Sequence, residues 1–578
     1  MKRIILLLIL CLVVFACENF DDTRNSRPIT QFNQNFGQTV QRDFMGQVVD
    51  EYDNPIVNAL IKIGSNQVYT DSNGVFILKN VNVYEKFAHI KVEKIGFLDG
   101  SRSLVPTEGM NQIKIMMIAN VPIATINSNE LSEVILSNGT KINFDGFFED
   151  ENGNTYSGVV SVFVYHLEAS NSNLNELMPG MLFAEAEDGS AKVLQTFGML
   201  NVELRGTSGQ KLQIAKEHTA KISMKIDATQ LTTATASIPL WHFDETNGYW
   251  KEEGEAIRQG DYYVGNVSHF SWWNCDAYVD VVYLKINLVD SENNPIPNLG
   301  ITLTDQSGFV SCISYTDQSG LVSGIIPKDN VLTLSSNGAI IFNQLIGSFS
   351  NNSSITVEIE SPTINIFNFN GNVLDCDNNF LSNSYLISII DGYASYIPVI
   401  NGMFLFTHLT FQNTINYSVS AVNFVQNEFS SVISNQATNG VSNTISLNNM
   451  IVCNSSYYNL SGNYNLVVTR DDGAVYNFPN EEIIQVAPFE YKTSTTGHYA
   501  FGSINSNQGY TFLISSLDGI IIPNQGLFQG LYTNQVSGVI LDNNSSHGTI
   551  ISNDEFYTNY SILFSNNLRT YTCHYTRN

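Results

Sequence analysis

The side chains able to do acid–base or nucleophilic chemistry are scattered along this sequence. The chain has no G-x-S-x-G elbow, no H-E-x-x-H motif, no G-x-x-x-x-G-K-[ST] phosphate loop and no G-x-G-x-x-G after a strand. The adjacent carboxylates Glu252 and Glu253, like Glu481 and Glu482, would point to opposite faces of a strand and cannot act together on one bond. These observations predict no catalytic residues and no cofactor. A hydrolase whose site is assembled from distant residues is the alternative.

The region between positions 241 and 273 contains two of the nine histidines and all four tryptophans of the chain. The tryptophans are Trp241, Trp250, Trp272 and Trp273. Indole rings bury about 200 Å² each, which favours a core and turn framework. An aromatic platform that stacks a sugar ring is the alternative. His242 and His269 have no partner histidine at metal-ligand spacing, so we interpret them as core histidines and predict no metal site.

The chain has seven cysteines, namely Cys11, Cys17, Cys275, Cys312, Cys376, Cys453 and Cys573. They include no C-x-x-C pair, which argues against a zinc knuckle or a thioredoxin-like site. Cys376 and Cys453 bracket one copy of an internal repeat, and we predict a disulfide between them. Cys275 and Cys312 could pair across a domain junction, which would leave Cys573 over.

The amino terminus has the pattern of an export signal. Lys2 and Arg3 precede the apolar run Ile4–Phe15, whose twelve residues fall short of the about 20 that span a bilayer as a helix. Ala16 and Cys17 follow, and the four residues VFAC resemble a bacterial lipobox. The resemblance implies that residues 1–16 are a lipoprotein signal peptide. It also implies that Cys17 is lipidated and becomes the mature first residue.

Acidic residues follow Cys17 closely, at Glu18, Asp21 and Asp22. This arrangement is similar to the surface-export signal of Bacteroidota lipoproteins. It implies an outer-membrane lipoprotein that is held to the membrane by its lipid and faces outward; a periplasm-facing lipoprotein is the alternative. Residues 17–42 are polar without a sustained apolar period, which predicts a tether.

Charge and composition narrow the class of partner. The formal net charge of −27 repels nucleic acid phosphates, so we expect no nucleic acid partner. Hydrophobic residues make up 43% of the chain, enough to form packed cores. At roughly 100–150 residues per domain, the length predicts about four or five domains.

After residue 42 the sequence has the alternation of β-strands. Short runs rich in β-branched and aromatic residues, such as Val159–Tyr165 and Tyr464–Thr469, are separated by Asn-Gly, Asp-Gly and Ser-Gly turns. No segment keeps a helical apolar period over three or more turns. The fold class predicted is therefore all-β, built from tandem β-sandwich modules.

A sequence motif repeats inside this β region. The first copy reads VVD at 48–50, NPI at 54–56 and TDSNGVF at 70–76. The second reads LVD at 288–290, NPI at 294–296 and TDQSGLV at 316–322. A looser third copy begins with VLD at 373–375 and has Phe380 in place of the proline. Each copy predicts a strand, an Asx-capped turn, a second strand and a tight turn in which glycine supplies a positive φ.

This pattern resembles the carboxypeptidase regulatory-like, transthyretin-like β-sandwich module. The resemblance implies an accessory sandwich that carries no peptidase site. It also implies that Asp50, Asp71, Asp290 and Asp317 form turns. Calcium binding is the alternative for these residues, although no single loop offers the six or seven oxygen ligands that Ca²⁺ takes.

The sequence thus divides into seven predicted segments. They are the signal peptide 1–16, the tether 17–42, a sandwich at 43–119, a β domain with a Trp-rich end at 120–276, a second sandwich at 277–361, a divergent third sandwich at 362–454 and a C-terminal antiparallel β domain at 455–578. We predict a non-enzymatic surface lipoprotein that acts as a binding, adhesion or scaffold protein, with an unknown protein or glycan ligand. A carbohydrate-binding accessory lipoprotein of a glycan-uptake system is the alternative.

Overall fold

The structure is a computed structural model. Strands make up most of it, which confirms the predicted all-β class. It describes residues 32–305, 313–336, 343–359, 365–391, 393–440, 443–454, 460–487, 490–493, 511–514, 519–521, 525–529, 536–541, 547–552, 554–564 and 567–578. The predicted signal peptide, Cys17, the first part of the predicted tether and Cys312 lie outside these residues. Among the described residues, the helical segments are one α-helix, Leu174–Leu177, and the 3₁₀ turns Phe32–Phe36 and Ala228–Gln230. None of these is long or apolar enough to cross a membrane.

The first unit is a sandwich of two sheets, ordered β4-β1-β7 and β3-β2-β5-β6. Its strands are β1 (Thr39–Asp50), β2 (Leu60–Ile63), β3 (Asn66–Tyr69), β4 (Val75–Tyr84), β5 (Ala88–Glu93), β6 (Gly100–Leu104) and β7 (Met110–Met117). Strand β1 pairs antiparallel with β4 and parallel with β7. Every second residue of β5 is buried, because alternate side chains of a strand face the core between the sheets.

The predicted tether is shorter than the sequence indicates. Phe32 and Phe36 are buried, and they pack with Phe87, Phe183 and Tyr249 in an aromatic cluster. Phe36 stacks on Phe87 with ring centroids 4.4 Å apart. Burying a phenylalanine side chain yields about 1.5–3 kcal/mol, which offsets the entropy lost when a polar segment is ordered. The part of residues 17–42 from Phe32 onward therefore belongs to the folded body.

The second unit is built on one large sheet. Its strands are β8 (Ala124–Asn127), β9 (Ser132–Ile135), β10 (Lys141–Phe144), β11 (Phe148–Asp150), β12 (Thr155–Tyr156), β13 (Val159–Leu167), β14 (Phe183–Glu185), β15 (Ala191–Gly206), β16 (Lys211–Ile214), β17 (Ala220–Lys225), β18 (Ser237–Asp244), β19 (Tyr249–Gln259), β20 (Tyr262–Val267) and β21 (Trp272–Val289). The order of its main path is β12-β11-β16-β15-β21-β18-β19-β20-β17-β10-β9. The unit has two buried clusters: one contains Leu240 and Trp273, and the other contains Trp241 and Phe243. Leu240 and Trp241 fall in different clusters because successive side chains of a strand point to opposite faces of the sheet.

Strand β21 belongs to two units. Its first half pairs with β15, and the last pair is Lys192 with Asp280. From Val281 onward it pairs with a strand of the third unit, beginning at Pro327. The predicted boundary at 276/277 therefore falls inside one continuous strand, and the change of sheet occurs at 280/281.

The third and fourth units repeat the topology of the first. Their strands are β22 (Gly300–Asp305), β23 (Ser314–Tyr315), β24 (Leu321–Pro327), β25 (Leu332–Ser336), β26 (Asn343–Ile346), β27 (Ser353–Glu358), β28 (Asn365–Leu374), β29 (Ser384–Ile390), β30 (Tyr393–Pro398), β31 (Met403–Thr410), β32 (Thr414–Asn423), β33 (Glu428–Ser430), β34 (Ile433–Thr438) and β35 (Thr444–Asn454). Strand β21 pairs antiparallel with β24 and parallel with β27, and β28 likewise with β31 and β35. The second sheet of the third unit is β23-β22-β25-β26. In the fourth unit β30, β29, β32 and β34 pair in the corresponding order, but β33 pairs with both β32 and β35 and so joins all eight strands into one sheet.

The looser third copy keeps its fold without the proline. Isolated bridges join Val49 to Pro55 in the first copy and Leu374 to Phe380 in the third, at the same point of the motif. The Asx turn that precedes the bridge is made by Asp375 and Asn379, as it is by Asp50 and Asn54. The turn thus depends on the carboxylate cap, and proline only stiffens it.

The fifth unit is an antiparallel sheet, as predicted. Its described strands are β36 (Gly462–Arg470), β37 (Val475–Ala487), β38 (Glu490–Thr493), β39 (Thr511–Ile514), β40 (Gly519–Ile521), β41 (Gln525–Gln529), β42 (Val536–Leu541), β43 (His547–Ser552), β44 (Glu555–Phe564) and β45 (Asn567–Arg577). The path closes on itself, because β45 pairs with both β36 and β44. Its core is rich in tyrosine, and the buried thiol of Cys573 donates to Tyr560 Oη at 3.7 Å.

The glycine of the repeat motif is required for more than its backbone angle. Gly74 has a φ of 69°, and a Cβ atom there would lie 2.4 Å from the carbonyl oxygen of Val48. That oxygen accepts the backbone N–H of Ile56 at 2.9 Å, so it is fixed by the turn it helps to form. Gly96, in the same unit, has a φ of 92° and no atom within 4 Å of such a Cβ.

We expect Gly74→Ala to destabilise the first unit by about 3 kcal/mol, because alanine adds a backbone clash to the about 1–2 kcal/mol that a left-handed residue costs. Gly96→Ala should cost only about 1 kcal/mol, since it has the positive φ without the clash. Urea unfolding followed by hydrogen exchange of the first unit measures both. Equal losses in the two variants would contradict the role given to the Val48 carbonyl.

Candidate functional site

The aspartates of the repeat act as turn-formers, as the family resemblance implies. Asp50 Oδ1 accepts the backbone N–H groups of Tyr52 at 2.8 Å and Asn54 at 2.9 Å, and its Oδ2 accepts the Asn54 side chain at 3.0 Å. Asp290 makes the same bonds with Glu292 and Asn294. These carboxylates are saturated by donors from their own turns. The turns therefore do not have the geometry of a calcium loop.

One repeat turn also contacts a distant unit. Asp71 Oδ2 accepts a hydrogen bond from the Tyr385 hydroxyl at 2.7 Å, and Asn73 Nδ2 donates to the same hydroxyl oxygen at 2.8 Å. Tyr385 is fully buried, and burial raises the pKa of the Asp71 carboxyl. The turn of the first unit is thus docked against strand β29 of the fourth unit by a buried hydrogen-bonded pair.

The tryptophans form core rather than a binding surface. The structure buries all four, Trp241, Trp250, Trp272 and Trp273, with at most 3% of any of them exposed. Trp241 Nε1 donates to the carbonyl oxygen of Asp276 at 3.1 Å, and Trp273 Nε1 to that of His269 at 3.0 Å. A sugar platform requires an exposed ring face, which none of the four provides. The stacking alternative therefore does not hold for these residues.

The two predicted core histidines, His242 and His269, lie together with a carboxylate at the surface. His242 Nε2 is 3.6 Å from Glu253 Oε2, and His269 Nε2 is 3.4 Å from the same oxygen. One ligand atom from each of the three residues lies within 4.8 Å of the others. Among the residues that the structure describes, these three side chains form the one group of His, Cys, Asp or Glu residues whose ligand atoms are close enough to hold a metal ion together. The prediction that these histidines lack suitable partners was wrong.

Strand pairing explains why sequence spacing missed this group, which we call the His–Glu cluster (His242, Glu253 and His269). His242 on β18 lies opposite Trp273 on β21 and opposite Lys251 on β19. Alternation along β19 places Glu253 on the same face as Lys251. A register shift opposite Leu240 accommodates Glu253 and Gly254 there. The only signal in the sequence is the hairpin register, which places Glu253 diagonal to His242.

Electrostatics make this cluster a good donor set. A hydrogen bond from His269 and another from Ser268 lower the pKa of Glu253 to about 2. Burial, and secondarily the nearby His269, lowers the pKa of His242 to about 4. Near neutral pH the cluster therefore presents an ionised carboxylate and a neutral imidazole at His242. Imidazole nitrogens and a carboxylate oxygen are ligands that Zn²⁺ takes in proteins.

A cleft opens where residues of the first four units meet. It encloses about 640 Å³, and its lining includes Tyr393, Tyr396 and His408 of the fourth unit together with Lys114 and Glu176. Tyr393 is 75% exposed, and Lys114 Nζ lies 3.1 Å from Glu176 Oε2. An exposed phenol ring beside hydrogen-bonding and charged groups is the kind of surface that binds a polar ligand.

The remaining candidate residues fall outside any common site. The structure joins Cys376 and Cys453 in a disulfide, with Cα atoms 5.3 Å apart. Cys275 is a buried free thiol whose pKa is raised by burial. Its suggested partner Cys312 and the predicted lipidation site Cys17 lie outside the described residues.

Burial of His89, which lies on β5, gives the stability of the first unit a measurable pH dependence. Burial lowers the pKa of His89 to about 4, below the 6.5 of an unfolded histidine. Between these values the unfolded chain binds the extra proton, so stability rises with pH from about 4 to 6.5. We expect acidification from pH 7 to pH 4.5 to cost about 2–3 kcal/mol through this residue alone.

The variant His89→Asn isolates this contribution, because asparagine retains a hydrogen-bonding group near Ser103 and does not titrate. Thermal unfolding of wild type and variant is measured at steps between pH 4 and pH 7. The difference in unfolding free energy between the two should change with pH only inside that window. A constant difference would contradict a depressed pKa.

Comparisons with known proteins give local likeness without a family. No protein-family model matches the chain. Human cartilage intermediate layer protein 2 is 26% identical over 133 residues, 22% of this chain and 10% of that protein, so the chain spans about a tenth of that relative's length.

Several solved structures match large parts of this chain, but with low sequence identity and low TM-scores. The shaft pilin SpaA from Lactobacillus rhamnosus GG is 10% identical with a TM-score of 0.14, covering 31% of this chain and all of that one. The major pilin subunit BcpA of Bacillus cereus is 9% identical with a TM-score of 0.12, covering 56% of this chain and 99% of that one. A leucine-rich repeat protein from Bacteroides thetaiotaomicron is 6% identical with a TM-score of 0.14, covering 30% and 27%. TM-scores this low carry no argument about function, and the module architecture rests on the strand pairing described above.

Proposed function

We propose that this chain is a lipid-anchored outer-membrane protein whose β units form a stiff, non-enzymatic scaffold, and that it presents a binding surface to a protein or glycan outside the cell. The anchor is supported by the lipobox-like residues before Cys17 and the acidic residues after it. The local match to a protein named for a layer of cartilage, an extracellular material, is in keeping with a structural role.

The observation that carries the scaffold proposal is the continuity of β21. This strand of 18 residues is hydrogen-bonded in the sheet of the second unit up to Asp280 and in the sheet of the third unit from Val281. A strand that is paired on both sides of a junction leaves no residue free to act as a hinge. The two units are therefore expected to keep one relative orientation.

A second contact stiffens the chain at longer range. The buried hydrogen bonds that the Tyr385 hydroxyl donates to Asp71 and accepts from Asn73 hold the first unit against the fourth. Hydrogen bonds to a charged group contribute about 1.5–3 kcal/mol when their partners are buried. Contacts between units that are distant in sequence favour a rigid assembly over flexibly linked beads.

Inserting six Gly/Ser residues between Asp280 and Val281 tests the scaffold. We expect small-angle scattering of the purified wild type to give a narrow distance distribution, and the insertion to broaden it. The same insertion after Gly153, an exposed turn residue with no atom within 4 Å of a Cβ, is the matched control and should leave the distribution unchanged. Equally broad distributions for wild type and junction variant would refute a stiff scaffold.

A glycan-binding accessory role is the second candidate function, and the cleft beside Tyr393 is the observation that favours it. A glycan array probed with wild type and Tyr393→Ala distinguishes the roles. Binding that is lost in Tyr393→Ala supports the accessory role and places the ligand in the cleft. Absence of glycan binding, with intact scaffold behaviour, leaves a protein ligand as the partner class.

A further inference from the structure

The ligand atoms of the His–Glu cluster are spaced like those of a transition-metal site, and His269 Nε2 is also within hydrogen-bonding distance of Glu253 Oε2. Its two imidazole-to-carboxylate distances, 3.6 Å for His242 and 3.4 Å for His269, are long for hydrogen bonds to a carboxylate. Two ligands of a tetrahedral zinc ion, each about 2.0–2.1 Å from the metal, are separated by roughly 3.3 Å. Both histidine nitrogens therefore sit near the ligand–ligand separation of such a site.

Other histidine–carboxylate pairs of the chain show the contrast. His218 Nδ1 lies 2.6 Å from Asp145 Oδ2, and His574 Nε2 lies 2.9 Å from Glu555 Oε1. These are ordinary hydrogen-bonded distances, and among the described residues neither pair belongs to a group of three metal-ligating side chains. The wider spacing is thus a property of the His–Glu cluster, not of histidine–carboxylate contacts in this protein generally.

Neighbouring groups hold the three ligands in place. Ser268 Oγ donates to Glu253 Oε1 at 2.7 Å, which leaves Oε2 to face both histidines. The ring of Trp273 lies 5.8 Å from that of His242 and 5.1 Å from that of His269, between centroids. Its Nε1 also donates to the backbone carbonyl of His269. Support of this kind, behind the ligands, orients metal-binding side chains in proteins.

The site is open to solvent on one side. The side chains of His242, Glu253 and His269 are 19%, 41% and 34% exposed. An ion can therefore enter without unfolding the sheet. Three protein ligands leave a fourth tetrahedral position that faces outward, where water or a donor from a binding partner completes the shell.

We propose that His242, Glu253 and His269 bind one divalent transition-metal ion of the zinc class. Two imidazoles with one carboxylate suit Zn²⁺, Cu²⁺ or Ni²⁺, whereas Ca²⁺ and Mg²⁺ prefer shells made of oxygen. The bound ion connects β18, β19 and the segment that precedes β21. The two histidine nitrogens are at most 4.8 Å apart and approach each other to about 3.3 Å when both bind the ion.

Zinc titration of tag-free protein, stripped with a chelator, tests the site. We expect calorimetry to give one Zn²⁺ per chain, and Co²⁺ to give the visible absorption bands of a four-coordinate nitrogen–oxygen site. Glu253→Gln, which preserves shape, and His269→Ala should each weaken zinc binding at least about 100-fold and remove the cobalt bands. Ser268→Ala should weaken binding about 10-fold, because it frees the carboxylate that it positions.

His218→Ala is the matched control, since it removes a histidine paired with a carboxylate in the same unit. Its zinc affinity and cobalt spectrum should equal those of wild type. Circular dichroism of every variant separates loss of the site from loss of the fold. Wild-type protein that binds no zinc, or that binds it equally well after Glu253→Gln, overturns the proposal.

Discussion

Replacing Cys17 with serine is expected to abolish incorporation of a fatty-acid analogue and to move the protein from the membrane fraction to the soluble fraction. Serine cannot form the thioether that carries the lipid. Each buried CH₂ group of an acyl chain contributes about 0.8 kcal/mol, so several chains hold a protein at the membrane essentially permanently. A protein without any acyl chain has no such anchor. We therefore expect near-complete release, the largest effect of any single substitution considered for this protein.

Metabolic labelling with an alkyne fatty acid, followed by fractionation, measures the outcome. Cys11→Ser is the control, because Cys11 lies inside the predicted signal peptide and should not affect labelling. Protease treatment of intact cells then distinguishes an outward-facing protein, which is degraded, from a periplasm-facing one, which survives until lysis. A mature protein that is unacylated and free in the medium would refute the anchor.

Loss of the Cys376–Cys453 disulfide is expected to destabilise the fourth unit by about 4 kcal/mol. The bond joins residues 77 apart in sequence, so it closes a loop of nearly the whole unit. It connects the residues just after β28 to β35, which are parallel neighbours in one sheet. Chain-entropy arguments give about 4.5 kcal/mol for a loop of this length, and removal of native disulfides typically costs about 2–5 kcal/mol.

The double variant Cys376→Ser, Cys453→Ser measures this cost. Hydrogen exchange should accelerate in the peptides of 365–454 and remain unchanged in those of the second unit, which serve as the internal reference. A reducing agent should have the same effect on wild type and none on the double variant. Alkylation of both thiols without prior reduction would show that the bond does not form.

Local turn chemistry explains how much of the fold the sequence predicted. The Asp-capped turns and positive-φ glycines of the repeat are specified within about ten residues, so the pattern was sufficient to predict three related units. Even the third copy, in which Phe380 replaces the proline, has the same bridge, and its first strand has the same antiparallel and parallel neighbours. The core role of the tryptophans followed from residue size in the same way.

The features that differ from expectation depend on contacts between distant segments. Phe32 and Phe36 look like part of a polar tether until Phe183 and Tyr249 are placed beside them. The junction at Asp280 is invisible in sequence, because a strand that changes partner keeps the same alternation on both sides of the change.

The sequence by itself determined the all-β class, the repeated units, the turn residues and the candidate lipidation site at Cys17. Only the tertiary structure brought His242, Glu253 and His269 together and joined two units through β21. The physical reason is that turns and strand periods are written in neighbouring residues, whereas the register between strands is chosen by burial of side chains from many segments at once.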